Sequence, residues 1–247
     1  MLNLQELKRR LTRPQDQDFF IRVWSTSNEV YEKRLNAIGF ANLDYVLDAG
    51  SGMGQWAVAL ARLNQNVIGV DFCKERVALA TIIANQLKIQ KLTFLQGTIE
   101  KLPFDNNSFD GIFSYSVIYL TDFRVSLREL FRVLKPGGML YFSTNGLGWY
   151  IYNLIEGHNS SKYFSSRQMA IDTIENSISY YSQGKHKQGS SIIMPKQVVI
   201  DELRNIGYEI IQVGGDGTFS LEGNTSISFY EPEKYNLENV WEVLCKK

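Results

Sequence analysis

Asp48, Gly50, Ser51, Gly52 and Gly54 make up the run Asp48-x-Gly50-x-Gly52-x-Gly54, placed between Tyr45-Val46-Leu47 and the Ala/Leu-rich segment from Ala57 to Leu63. An apolar run, a glycine-rich bend and a helix-forming segment read as strand, tight turn, helix. Glycines at such a bend let backbone N–H groups approach a ligand with no Cβ in the way. The helix behind presents its positive end, so the spacing predicts that an anionic group is welcome at the turn. A second carboxylate, Asp71, ends the apolar run Asn66-Val67-Ile68-Gly69-Val70. At the tip of a second strand it can accept the ribose hydroxyls of an adenosine ligand, with Phe72 beside it to lie on the adenine. The spacing departs from the dinucleotide pattern G-x-G-x-x-G. Gly50 and Gly52 fit it, but Gln55 takes the third place and the glycine falls one residue early, at Gly54. A nicotinamide-dependent oxidoreductase is therefore the weaker of the nucleoside readings.

Further runs place the elements that hold these residues. Val77, Ala80, Ala84 and Leu87 form the stripe of a second helix with Cys73 at its N-cap, and Leu92 to Gly97 reads as a third strand. Phe109 to Tyr119 holds a fourth strand and the loop beyond it. Leu127, Leu130, Phe131 and Leu134 mark a helix that stops at Lys135-Pro136-Gly137-Gly138, and Met139 to Ser143 is a fifth strand. This alternation implies a Rossmann-like, doubly wound α/β sheet whose ligands sit beyond the carboxyl ends of the strands. Tyr208 to Val213 and Val240 to Cys245 supply strands six and seven.

Four motifs in this order resemble the class I S-adenosylmethionine (SAM) methyltransferases, in their small-molecule, UbiE-like branch. The glycine run matches the family's D/E-x-G-x-G-x-G motif. Gly97-Thr98-Ile99-Glu100-Lys101-Leu102-Pro103-Phe104 is similar to its adenine-binding loop, with Thr98 in place of the usual acid. Phe109 to Tyr119 resembles its fourth-strand segment, with Tyr119 or Leu120 near the place of a usual histidine, and L-K-P-G-G precedes the fifth strand. The resemblance runs closely over residues 43–145 and returns loosely near residue 195. It implies a seven-stranded sheet whose last strand is antiparallel and SAM as cofactor, left as S-adenosylhomocysteine. It also implies contacts from Thr98, Ile99, Glu100, Ser114 and Tyr115. Residues 1–44 are expected to form a helical cover, with Trp24 and Tyr31 over the cofactor, and residues 45–247 the SAM-binding domain.

Residues 146–194 form a helical insertion after strand five, too long for a plain connection, and are expected to make a lid or acceptor-pocket wall. Trp149, Tyr150 and Tyr152 there, with Asn145 and Tyr230, are the candidate acceptor contacts, and they suit a small polar or sugar-like molecule. Gly148-Trp149-Tyr150 resembles methyltransferases of surface-polysaccharide and natural-product pathways. Methyl transfer from a sulfonium needs mainly alignment in a dry site. A hydroxyl acceptor adds the need for a base, and His158, Tyr119 and Glu156 are the candidates. A SAM-binding regulatory or partner protein without activity is the alternative from another class.

The 247-residue chain balances 26 basic against 26 acidic residues, which argues against nucleic acid as a partner. No apolar run is long enough to span a membrane. Residues 1–10 lack the apolar core of a secretory signal, so a cytoplasmic location is expected. Two cysteines, Cys73 and Cys245, imply no disulfide framework and no cysteine metal site. The oligomeric state is left open, a homodimer included.

Overall fold

The computed structural model describes residues 2–221 and 226–247; residues 222–225, part of the connection expected between Gly214 and Asn239, lie outside the described residues. Three helices precede the motif strand: α1 (Leu4–Leu7), α2 (Pro14–Ser25) and α3 (Asn28–Ala37). Pro14 opens α2 at a first-turn position where its missing N–H costs nothing. Then come β1 (Tyr45–Ala49), α4 (Gln55–Leu63), β2 (Asn66–Asp71), α5 (Lys74–Gln86), β3 (Leu92–Gln96), β4 (Phe109–Tyr115), α6 (Phe123–Val133) and β5 (Leu134–Asn145). After β5 follow α7 (Leu147–Glu156), α8 (Ser166–Gln183), α9 (Lys196–Ile206), β6 (Glu209–Gly215), β7 (Glu233–Lys234), β8 (Leu237–Glu238) and β9 (Val240–Lys246).

The main sheet has seven strands in the order β3-β2-β1-β4-β5-β9-β6. Its first five strands are parallel, and β9 runs antiparallel to both β5 and β6. This is the doubly wound sheet with an antiparallel last strand that the motifs imply. Both faces are covered. Val46 of β1 packs with α3, α4 and α5 on one side, while Leu47 and Ala49 pack with α6 and α9 on the other. A strand buried on both faces has no polar side to show, which is why β1 and β2 read as unbroken apolar runs. Strand order reverses between β1 and β4, so their carboxyl ends leave a crevice between diverging loops.

Local structure differs from the sequence reading, or adds to it, at several points. Residues 97–108 run from β3 to β4 without a helix, as Pro103 and the turn-forming Asp105-Asn106-Asn107-Ser108 would lead one to expect. Leu134 belongs to β5, where it pairs with Phe109, and the helical stripe ends at Val133. α5 is buried on two sides. Ala80 and Ala84 face α4 and the sheet, while Leu79 and Ile83 pack under Leu7, Leu11 and Phe20 of the N-terminal segment. That segment is fastened at its edge by Asp16 to Arg76 (2.7 Å) and by Thr12 to the Glu75 carboxylate. Gln188 and Gly189 line the central cavity, and the His186 ring lies 3.0 Å from the Ser190 carbonyl.

Candidate functional site

A cavity of about 510 Å³ opens over the carboxyl ends of β1, β2 and β4. A second chamber of about 410 Å³ adjoins it toward α7 and the start of α8. Phe19, Arg22, Tyr119, Asn145, Trp149 and Tyr230 line both and form the neck between them. Both volumes lie in the range of small-molecule sites.

The inner chamber is built on the glycine turn. Gly50, Gly52 and Gly54 all have positive φ, which a side chain would strain. The space around them differs. A Cβ at Gly50 would meet Val117 at 2.4 Å, one at Gly54 would meet Ala80 at 2.9 Å, and one at Gly52 would meet nothing. Gly50 and Gly54 are therefore packing positions, and Gly54 does not line the cavity. Gly52 faces open space.

The turn's own amides are already engaged. The Gly50 and Ser51 N–H groups both donate to the Val70 carbonyl (2.8 and 2.9 Å), Gly54 to the Ser51 carbonyl (2.9 Å), and Gly52 to Asp71 Oδ2 (3.0 Å). Asp48 is 2% exposed and accepts the backbone N–H of Ala57 in the first turn of α4. The positive end of that helix is thus met by a carboxylate of the chain itself. The expectation of an anion on this turn is corrected in part: the four amides of Gly50, Ser51, Gly52 and Gly54 are engaged, and the Asp48 carboxyl stands beside them.

Burial, followed by the charge of Asp71, pushes the Asp48 carboxyl up to about 8. Burial also raises Asp71, against hydrogen bonds from Cys73 and Gly52 and the nearby Arg76. Asp48 Oδ2, Ser51 Oγ and Gln55 Oε1 are buried with no hydrogen-bond partner, and all three residues line the inner chamber. Buried polar atoms without partners are uncommon, and three at one turn point to a ligand that donates hydrogen bonds or carries positive charge.

The remaining candidates divide cleanly. Phe72, Thr98, Ile99, Glu100, Tyr115 and Tyr31 line the inner chamber, and Tyr119, Asn145, Trp149 and Tyr230 line the neck. Tyr150 lines the outer chamber. Ser114 does not reach the cavity; its hydroxyl donates to the Ala49 carbonyl (2.8 Å) and ties β4 to β1. Trp24 turns its indole N–H to the Met53 carbonyl (3.0 Å) behind the turn, and the cover is made by Phe19, Arg22 and Val23 of the same helix. His158, Glu156 and Tyr152 lie outside both chambers. Tyr152 faces the His158 ring, and Tyr235 donates to Glu156 (2.7 Å) in an outer cluster beside the β7–β8 hairpin. Tyr119 is at the neck, but burial, helped by Tyr230, pushes its phenol up to about 12, so it stays protonated and donates rather than acting as a base.

One group went unread in the sequence, and a second is placed more sharply by the structure. Gln55 opens α4, where a side chain reaches the chamber. Phe229 comes from the connection before β7 and packs edge-on to Trp56 at 6.0 Å, next to Tyr115. Behind them lies a buried ionic cluster. Arg34 of α3 bonds Asp216 (2.6 Å), Glu242 of β9 (2.5 Å) and the Tyr141 hydroxyl (2.9 Å). Asp216 also accepts the Tyr115 hydroxyl (3.0 Å) and the backbone N–H groups of Phe229 and Tyr230 (2.6 and 3.1 Å). The cluster hangs the Phe229–Tyr230 wall on the sheet.

Residues 47–142 match the family described as "Methyltransferase domain". An uncharacterized methyltransferase, YcgJ, of Bacillus subtilis is 43% identical over 94 residues, covering 38% of this chain and 37% of that protein. Residues 47–142 are thus similar to a methyltransferase domain. A demethylmenaquinone methyltransferase of Oceanobacillus iheyensis is 32% identical to this chain over 96 residues, 37% of the chain and 40% of the relative. The chain therefore spans about two-fifths of the length of these curated relatives. Among solved structures, the [4+2]-cyclase SpnF aligns with a TM-score of 0.60 at 17% identity, over 89% of this chain and 81% of that one, a likeness of fold alone. SAM carries a sulfonium and an amino group, and the unpartnered oxygens of Asp48, Ser51 and Gln55 suit a ligand of that kind. The residues present fit this cofactor, and the Gly50, Ser51, Gly52 and Gly54 amides are already engaged within the chain.

Proposed function

We propose that this protein is a methyltransferase that moves the methyl group of SAM to an oxygen or nitrogen of a small polar acceptor, such as a sugar or a natural-product or polysaccharide intermediate. The observation that carries the reading is the pair of chambers joined at a neck, the inner one lined with unpartnered acidic and polar oxygens. A protein that only bound the cofactor would have no need of the outer one. When bound, SAM supplies an electrophilic methyl group on a positively charged sulfur.

The chain's residues then have separate tasks. Asp48, with Ser51 and Gln55, takes the amino end. Asp71, already held by the Gly52 and Cys73 amides, keeps lone pairs for the ribose hydroxyls. Ile99 and Phe72 flank the adenine, with the Thr98 hydroxyl near its amino group. The neck residues orient the acceptor and exclude water, and such alignment supplies most of what this transfer needs. With Tyr119 protonated and both histidines off the cavity, an acceptor that ionises readily or is a neutral amine suits the site.

Isothermal titration with SAM, S-adenosylhomocysteine and NAD tests the cofactor side. Micromolar binding of the first two and none of NAD is expected; binding of NAD alone would overturn the reading.

A further inference from the structure

The outer chamber carries features of its own. Two side chains of α7 on its wall, Tyr150 and Asn153, are both fully buried. Asn153 Oδ1 has no hydrogen-bond partner and the Tyr150 O–H has no acceptor, with the Asn145 amide beside the phenol oxygen, while the Asn153 amide N–H₂ is fixed by the Trp149 carbonyl at 2.8 Å. That fixes the polarity: Asn153 offers an acceptor, and Tyr150, a neutral phenol, offers a donor. They stand three residues apart on one helix, so they are neighbours on its surface. A ligand hydroxyl both accepts and donates, and it answers the pair.

Arg22, from α2 rather than α7, stands at the neck. Its guanidinium lies 5.2 Å over the Phe19 ring and, among the described residues, forms no ion pair. The other arginines of the cavity region are committed: Arg76 to Asp16, and Arg34 to Asp216 and Glu242. A planar cation left open beside Phe19, Trp149 and Tyr230 is suited to a bidentate oxyanion on a flat or cyclic ligand.

We propose that the outer chamber takes a small hydroxylated ring that also bears an oxyanion, a carboxylate or a phosphate, with Arg22 on the oxyanion and Tyr150 and Asn153 on a ring hydroxyl. This rests on the reading of the inner chamber as the SAM site and narrows its acceptor class. Held at both ends, the ring presents its remaining nucleophile across the neck. Arg22 and the α7 pair are then specificity residues that touch the acceptor.

The test is titration calorimetry of the protein saturated with S-adenosylhomocysteine, using matched probes: 3,4-dihydroxybenzoate against 3,4-dihydroxybenzyl alcohol, and glucose 6-phosphate against glucose. The proposal expects at least one anionic probe to bind about tenfold or more tightly than its neutral partner, and the pair that shows this tells carboxylate from phosphate. Arg22→Gln, at an exposed position, should erase the preference, and Arg22→Lys should keep part of it. Tyr150→Phe should weaken the preferred probe several-fold while S-adenosylhomocysteine binds as before. Equal binding within each pair, no binding of any probe, or a preference that survives Arg22→Gln would each overturn the proposal while leaving the SAM reading intact. Failure of S-adenosylhomocysteine itself to bind would overturn both.

Discussion

Exchanging Asp48 for asparagine is expected to weaken SAM binding by about 2–5 kcal/mol, because removing one partner of a buried charge pair strands the other. The shape is kept and the Ala57 amide still finds an oxygen, so the loss isolates charge from packing. The pH dependence has a definite sign. In the free protein the Asp48 carboxyl sits at about 8, well above an unfolded aspartate, so its contribution to stability is present at low pH and is lost as pH rises through about 8. A bound cation reverses this by favouring the carboxylate. The native protein should therefore bind SAM more tightly as pH rises from 6 to 8, by up to about tenfold per unit from this group, with release of a proton. The asparagine variant should lack that slope, and without ligand it should melt above the native protein at pH 8. Calorimetry in buffers of different ionisation enthalpy, with thermal melts across pH, reads both. A variant that binds SAM like the native protein would remove Asp48 from the site.

Arg34→Met is the second large effect, and it falls on stability. Arg34 is fully buried, and burial alone would lower its affinity for a proton; the Tyr141, Tyr115 and Asp216 oxygens around it more than reverse this, so it stays charged. Burial likewise raises Glu242, against the pull of Arg34. Methionine fills much of the same volume but leaves two buried carboxylates facing each other. Breaking a buried ionic group from one side costs about 3–5 kcal/mol, which for a chain of this size lowers the melting temperature by roughly 6–20 °C. The stranded Glu242 carboxyl, already raised by burial, would be raised further without Arg34, so the variant should regain stability as pH falls and it takes a proton. Adding Asp216→Asn and Glu242→Gln to Arg34→Met should recover most of the loss, because removing all the charges leaves none uncompensated. A single variant that melts within about 1 °C of the native protein would show that the cluster is not what holds the Phe229–Tyr230 wall.

Which parts could be read in advance follows from the range of the interactions. The strand, turn and helix from Tyr45 to Leu63 are set by neighbours in sequence, and so is the capping position at Cys73. Burial on both faces leaves a compositional trace in β1 and β2, so the parallel sheet was legible too. The role of the glycine turn was legible only in part. Its spacing marks a nucleoside site, but nothing local says that Val70 and Asp71 consume its amides, since those bonds join different elements. Arg34, next to Glu32, Lys33 and Asn36 in the sequence, looks like a solvated residue until Asp216 and Glu242, 182 and 208 residues away, are brought to it. His158 drew notice as a rare titratable residue, yet α7 ends at Glu156 and carries it past the outer rim. Asn153 drew none, because an asparagine in a helix is unremarkable until its carbonyl oxygen is found buried without a partner.

A crystal structure of the protein grown with S-adenosylhomocysteine is the most direct test of the central claim that a carboxylate-lined crevice holds a cationic nucleoside and aims its methyl group through the neck. The account predicts the ribose on Asp71, the amino end on Asp48, and the sulfur facing Tyr119, Asn145 and Tyr230. A crevice left empty at saturating ligand, or a sulfur turned away from the neck, would contradict it.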